Sequence, residues 1–210
     1  MPLALVALGT IPVIAGALRL VDLSTGSAML PPNPRFSASP LPVVMHVVTA
    51  TVFALLGAFQ FSARFRQPRS AWHRRAGLIM MVAGLGVALS ALWLNQFFPR
   101  AGAARELLYP LRVVFGVAMV IAITLGFLAA RRRNFADHRA WIIRSYAIGI
   151  VAGTQVFTLG AGGAMFGHGE VTTALLLAAA WAINLAVAEW AIRKRPRRRP
   201  PAASLQAAMP

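Results

Sequence analysis

Residues 41–63 read LPVVMHVVTATVFALLGAFQFSA, a run without one formal charge. A helix rises 1.5 Å per residue, so about 20 apolar residues cross a hydrocarbon core of about 30 Å. A segment this long and this evenly apolar is a membrane span rather than the stripe of an amphipathic surface helix. Working outward, five more runs qualify. Residues 3–20 hold Pro12 mid-run and end at Arg19, whose long side chain is expected to snorkel toward the headgroups. Residues 76–98 end in Asn95 and Gln96. Residues 113–130 follow Tyr109, Pro110 and Arg112. The last two runs cover 139–165 and 171–192. The sequence therefore predicts an all-α, polytopic bundle of six transmembrane helices, with the second to fifth forming a four-helix core. The first run lacks a basic leader and reads as a retained helix, although Ala15–Ala17 offers small residues of the kind found at cleavage sites.

Composition agrees. Of the 210 residues 58% are hydrophobic and 12% charged, against about 25% charged in a soluble domain. The net charge of +16 is spread in short Arg clusters between apolar runs, so it marks loops at a membrane surface and not a nucleic-acid face. With no Cys, thiolate metal sites, iron–sulfur clusters and disulfides are excluded. No phosphate loop, dinucleotide fingerprint or hydrolase motif is present.

The basic residues also predict orientation. With the N-terminus cytoplasmic, the inner side receives Arg64, Arg66, Arg69, Arg74 and Arg75, then Arg131, Arg132, Arg133, Arg139 and Arg144, then six from Arg193 to Arg199. The outer side keeps only Arg19, Arg35, Arg100, Arg105 and Arg112. Such a bias sets orientation in multi-pass proteins. The expectation is an inner (plasma) membrane protein with both termini cytoplasmic and anionic headgroups at the basic loops. Residues 193–210 read as a basic, Pro/Ala-rich, disordered tail. The outer stretch from Val21 to Pro40, with Pro31, Pro32, Pro34 and Pro40, reads as a stiff extended loop.

Polar groups at membrane depth are costly and are the first candidates for function. One pattern repeats: Trp72-His73-Arg74-Arg75 opens the third helix and Asp137-His138-Arg139-Ala140-Trp141 the fifth, both at the cytoplasmic side. Two imidazoles facing each other would ligate a haem iron axially, with Arg74 and Arg139 on its propionates. Asp137 or Ser70 is a candidate helix cap. A second constellation lies near the outer side: His46, Asn95, Gln96, Arg112, Gln155, His168 and Glu170, a candidate pocket for a metal, a quinone headgroup or a small solute. Its core members are His46, Gln155 and Arg112. Gln60 and Asn184 are expected to bond across helices. Gly149, Gly153 and Gly160 share one face of the fifth helix, for packing within the bundle or for a homodimer or larger complex.

These blocks carry a resemblance. His46 with Gly57, Gln60 and Phe61 in MHVVTATVFALLGAFQF, then WHRRAGLIMMVAGL and DHRAWIIRSYAIGIVAGTQVF, resemble a bacterial membrane family, domain of unknown function 2306, over Val43 to Phe157. The usual Met after Trp141 is Ile142 here. The resemblance implies a bacterial membrane protein without an assigned activity. The chain is also weakly similar to dihaem transmembrane cytochromes b, which pair His on helices two and four and on three and five. His73 and His138 stand at the three-and-five positions and His46 on helix two, but Val113, beside Arg112, stands where helix four needs His. At most one haem b is therefore implied. Three functions follow: a haem- or quinone-linked redox membrane protein, a small-solute or ion permease with an outward pocket at His46, or a non-catalytic subunit of a membrane complex.

Overall fold

In a medium that leaves no backbone group to water, each long apolar run must form a helix. The structure, a computed structural model, describes residues 2–27, 29–31, 33–61, 71–98 and 103–194. Among these, all regular structure is helical: α1 (Pro2–Thr25), α2 (Pro34–Ala38), α3 (Pro40–Gln60), α4 (Ala71–Phe97), α5 (Ala103–Arg131), α6 (Phe135–Gly149), α7 (Val151–Phe166) and α8 (Glu170–Arg193). Five helices, α1, α3, α4, α5 and α8, are long and apolar enough to cross a membrane. α6 and α7 count as a sixth span when taken together, bent by 46° at the break between them. Arg64, Arg66, Arg69, Ser70 and the tail from Arg195 lie outside the described residues.

Three local features differ from the sequence reading. α5 starts at Ala103 rather than 113, with Pro110 inside it; the proline removes one backbone bond without ending the helix. α6 starts at Phe135 because Asn134, not Asp137, is its cap. The Asn134 side chain accepts from the Asp137 amide at 3.2 Å and donates to the Asp137 carboxylate at 2.7 Å. The stretch after Val21 is not simply extended: α1 continues to Thr25, and α2 forms within the proline-rich segment. Asp22 organises it. Its carboxylate accepts from Ser27 Oγ and from the amides of Met29 and Leu30 at 2.8–3.0 Å. Arg19 does not simply snorkel; it donates to the Pro31 carbonyl at 3.0 Å and lies 3.8 Å from Asp22.

The helices pack in sequence order, α3 on α4, α4 on α5 and α5 on α6, which closes a four-helix core where α6 meets α3 and α4. Phe53, Met80, Val87, Met119, Ile123, Tyr146 and Ile148 fill it. α1 covers α3 and α7, while α8 lies against α5, α6 and α7. α8 does more than cover: Trp181 is buried in the core and stacks on Phe115 with ring centroids 4.7 Å apart. The tightest approach is at Gly57, where a Cβ would collide with the Tyr146 ring. That ring also packs on Phe53 and Phe61 at 5.6 and 4.9 Å, and its hydroxyl donates to the Ala54 carbonyl at 2.8 Å.

Candidate functional site

The inner candidates sit at the starts of two helices that touch, His73 in α4 and His138 in α6. Both are half-buried. His138 Nδ1 lies 2.8 Å from the Gly126 carbonyl of α5. A carbonyl only accepts, so Nδ1 carries a proton, and in the neutral ring the lone pair then lies on Nε2. A carbonyl behind one ring nitrogen is the arrangement that orients metal-binding histidines. The backbone carbonyl of His73 accepts from Gln60 Nε2 at 3.3 Å, which ties α3 to the first turn of α4. Gln60 Oε1 is buried and has no partner among the described residues. Arg139 is partly committed elsewhere: its Nη2 donates at 3.0 Å to the Ala191 carbonyl in the last turn of α8. Arg74 is exposed.

The outer candidates do not converge. His46 Nδ1 lies 3.0 Å from Ser90 Oγ of α4, and that hydroxyl lies 2.5 Å from the Gly86 carbonyl. His46 is thus held in the α3–α4 seam. Asn95 donates to the Tyr109 carbonyl at 3.1 Å, and Gln96 accepts from the Tyr109 hydroxyl at 2.5 Å, both in the α4–α5 seam. Gln155 donates to the Leu177 carbonyl in the α7–α8 seam at 3.4 Å. His168 is exposed after α7, over Gly163, and Glu170 is exposed at the start of α8. Arg112 is half-buried on α5. Four of the expected members therefore bond in three separate seams. Their shared distance from the helix ends, read from sequence, fixed depth but not azimuth. Among the described residues no group of three or more His, Asp or Glu is arranged to hold a metal ion.

The glycine face divides in the same way. A Cβ on Gly149 would meet Phe53 at 2.5 Å and Met119 at 2.9 Å, and one on Gly153 would meet the backbone of Leu8 in α1. Both positions are filled by the chain's own helices, so a seam through all three glycines is not formed. Gly160 alone is open, with nothing within 4 Å of a Cβ.

Several structuring residues are not histidines. Glu189 in α8 pairs with Arg144 of α6 through two contacts of 2.6 and 3.1 Å, and Arg144 lies 4.8 Å over the Trp141 ring. Asn184 bridges α8 to both α6 and α7. An acid within an apolar run was the available signal for Asp22 and Glu189, because an unpaired carboxylate at that depth is untenable. Tyr146 and Ser90 carried no comparable flag.

Long apolar helices packed around a core of aliphatic and aromatic side chains, with Asp22, Arg139, Arg144 and Glu189 each answered by another side chain or a carbonyl, define a polytopic helical membrane protein. The chain belongs to the family described as "Predicted membrane protein (DUF2306)", whose model matches residues 43–192. The match runs from α3 through α8 and leaves α1 and α2 outside. No curated protein and no solved structure matches the chain.

Proposed function

We propose that the chain is a redox membrane protein that carries a haem or quinone at its cytoplasmic end, with His138 as the principal ligand and His73 as its counterpart. The observation behind this reading is the His138–Gly126 bond of 2.8 Å. It holds the imidazole in the tautomer whose Nε2 accepts, as an axial ligand of haem iron requires. Bound there, the group would supply one-electron chemistry that the side chains of this chain lack. Arg74 is the propionate partner in this reading, with Arg139 held against α8. Gln60, with its unpartnered Oε1, suits a hydroxyl or N–H donor at the same end. Both termini are cytoplasmic in this proposal, and the exposed Arg74, Arg75, Arg131, Arg132, Arg133 and Arg193 meet anionic headgroups. The permease reading has less support, since His46, Asn95 and Gln155 bond in three different seams.

The test is the visible spectrum of protein extracted from membranes in mild detergent. A Soret band present in the parent protein and in His46→Ala, and lost in His138→Ala, is the expected result. No band in the parent protein, even after haemin addition, together with no quinone in its organic extract, would overturn the proposal.

A further inference from the structure

We infer that the break between α6 and α7 is an intramembrane hinge latched by Asn184 of α8. Ile150 separates the two helices, at φ −90° and ψ 9°, outside the α-helical basin. Around it the hydrogen-bond ladder changes pitch: the Ile150 amide bonds Tyr146 O at 3.0 Å, and the Gly153 amide bonds Ile150 O at 3.1 Å, a tighter three-residue step. A bend at mid-span needs neighbours that re-satisfy the disturbed backbone. Asn184 does this from the adjacent helix. Its Nδ2 donates to the Ala147 carbonyl on the α6 side at 2.9 Å, and its Oδ1 accepts from Thr154 Oγ1 on the α7 side at 2.7 Å. One buried amide thus holds both sides of the break at one angle.

The two arms are unequally anchored. α6 is fixed by Tyr146 to the Ala54 carbonyl, His138 to the Gly126 carbonyl, and Arg144 to Glu189. α7 meets its neighbours closely at two glycines, Gly153 against Leu8 of α1 and Gly162 against Leu176 of α8, and its side-chain bonds, from Thr154 and Gln155, both go to α8. Rotation about the break therefore carries α7 and leaves α6 in place. One turn from Asn184, Trp181 has a buried indole N–H with no acceptor among the described residues. A buried donor left unpaired is costly, and a second setting of the arm that supplies an acceptor would relieve it. The inference is independent of any cofactor at the inner end.

Hydrogen–deuterium exchange on the full chain in nanodiscs tests it. Asn184→Leu keeps the volume and removes both bonds, so exchange at amides 148–154 is expected to rise about tenfold, while that of α3 and α4 is unchanged. Thr154→Val removes one bond and is expected to give about a threefold rise; it decides the matter if the first variant fails to insert. Gln155→Leu, which touches the same seam without spanning the break, is the control. Parent-like exchange at the break in both Asn184→Leu and Thr154→Val would overturn the hinge, as would an equal rise in Gln155→Leu.

Discussion

α6 and α7 belong to one candidate span yet hold their neighbours by different means. α6, FADHRAWIIRSYAIG, carries long polar side chains that reach α3, α5 and α8 and end on carbonyls or a carboxylate. α7, VAGTQVFTLGAGGAMF, is rich in glycine and small residues and lets neighbouring helices come close. Lipid tails are as apolar as the helices themselves, so association within a membrane needs either polar bonds or close packing. This span relies on the first in α6 and adds the second in α7, where Thr154 and Gln155 also bond α8. The contrast teaches that the most distinctive block of the sequence, from Asp137 to Phe157, has a packing role in every described helix it touches. Any ligand chemistry at His138 is built on a residue already engaged in that role.

The comparison is broken most forcefully at α6. Gly57→Ala places a methyl group inside the Tyr146 ring, and that ring cannot swing aside without losing its bond to Ala54. Overpacking of this kind costs about 1–3 kcal/mol, so thermal unfolding in mild detergent is expected at clearly lower temperature. A parent-like unfolding temperature would show that Tyr146 is not the fixed point of α6. Next in size is Glu189→Gln. It removes the carboxylate paired with Arg144 and leaves only the more distant charge of Asp137, and because both side chains are about one-third exposed the loss is about 1–2 kcal/mol, below that of a fully buried pair. Arg144→Gln in the same background is expected to restore part of it, which a double-mutant cycle would read.

The architecture was legible because its cause is local: the length and apolarity of a run are sufficient to make a span, and residues 41–63 show this without reference to anything else. The azimuth of each side chain was not. His46 lies in α3 and Gln155 in α7, yet one bonds α4 and the other α8, because helix rotation is set by packing that no single run contains. The break at Ile150 was hidden for a similar reason. Neither proline nor charge interrupts GIVAGTQ, and the disturbed backbone is supported by Asn184, more than thirty residues further along the chain. The asparagine was visible as a residue that bonds across helices; that it bonds both sides of a bend was not. Glu189 and Asp22 were readable, since a carboxylate in an apolar run demands a partner as much as a histidine does.

Smaller effects are expected away from α6. His46→Ala removes one bond in the α3–α4 seam, and interhelical bonds of this type contribute about 0.6 kcal/mol and at most about 1.7. A modest fall in unfolding temperature without a change in visible spectrum is expected. A loss of cofactor on that substitution would move the proposed site outward. The smallest effect has the opposite sign. Gly160 is exposed on α7 with open space where a Cβ would stand. In a helix interior, alanine is preferred to glycine by up to about 1 kcal/mol when nothing is displaced. Gly160→Ala is therefore expected to raise the unfolding temperature slightly and leave the oligomeric state in detergent unchanged, whereas Gly153→Ala, forced against the backbone of Leu8, is expected to lower it. If Gly160→Ala instead destabilised the protein or dissociated an oligomer, another chain would have to lie against that face. α7 would then use its glycines for a partner as well as for the chain's own helices.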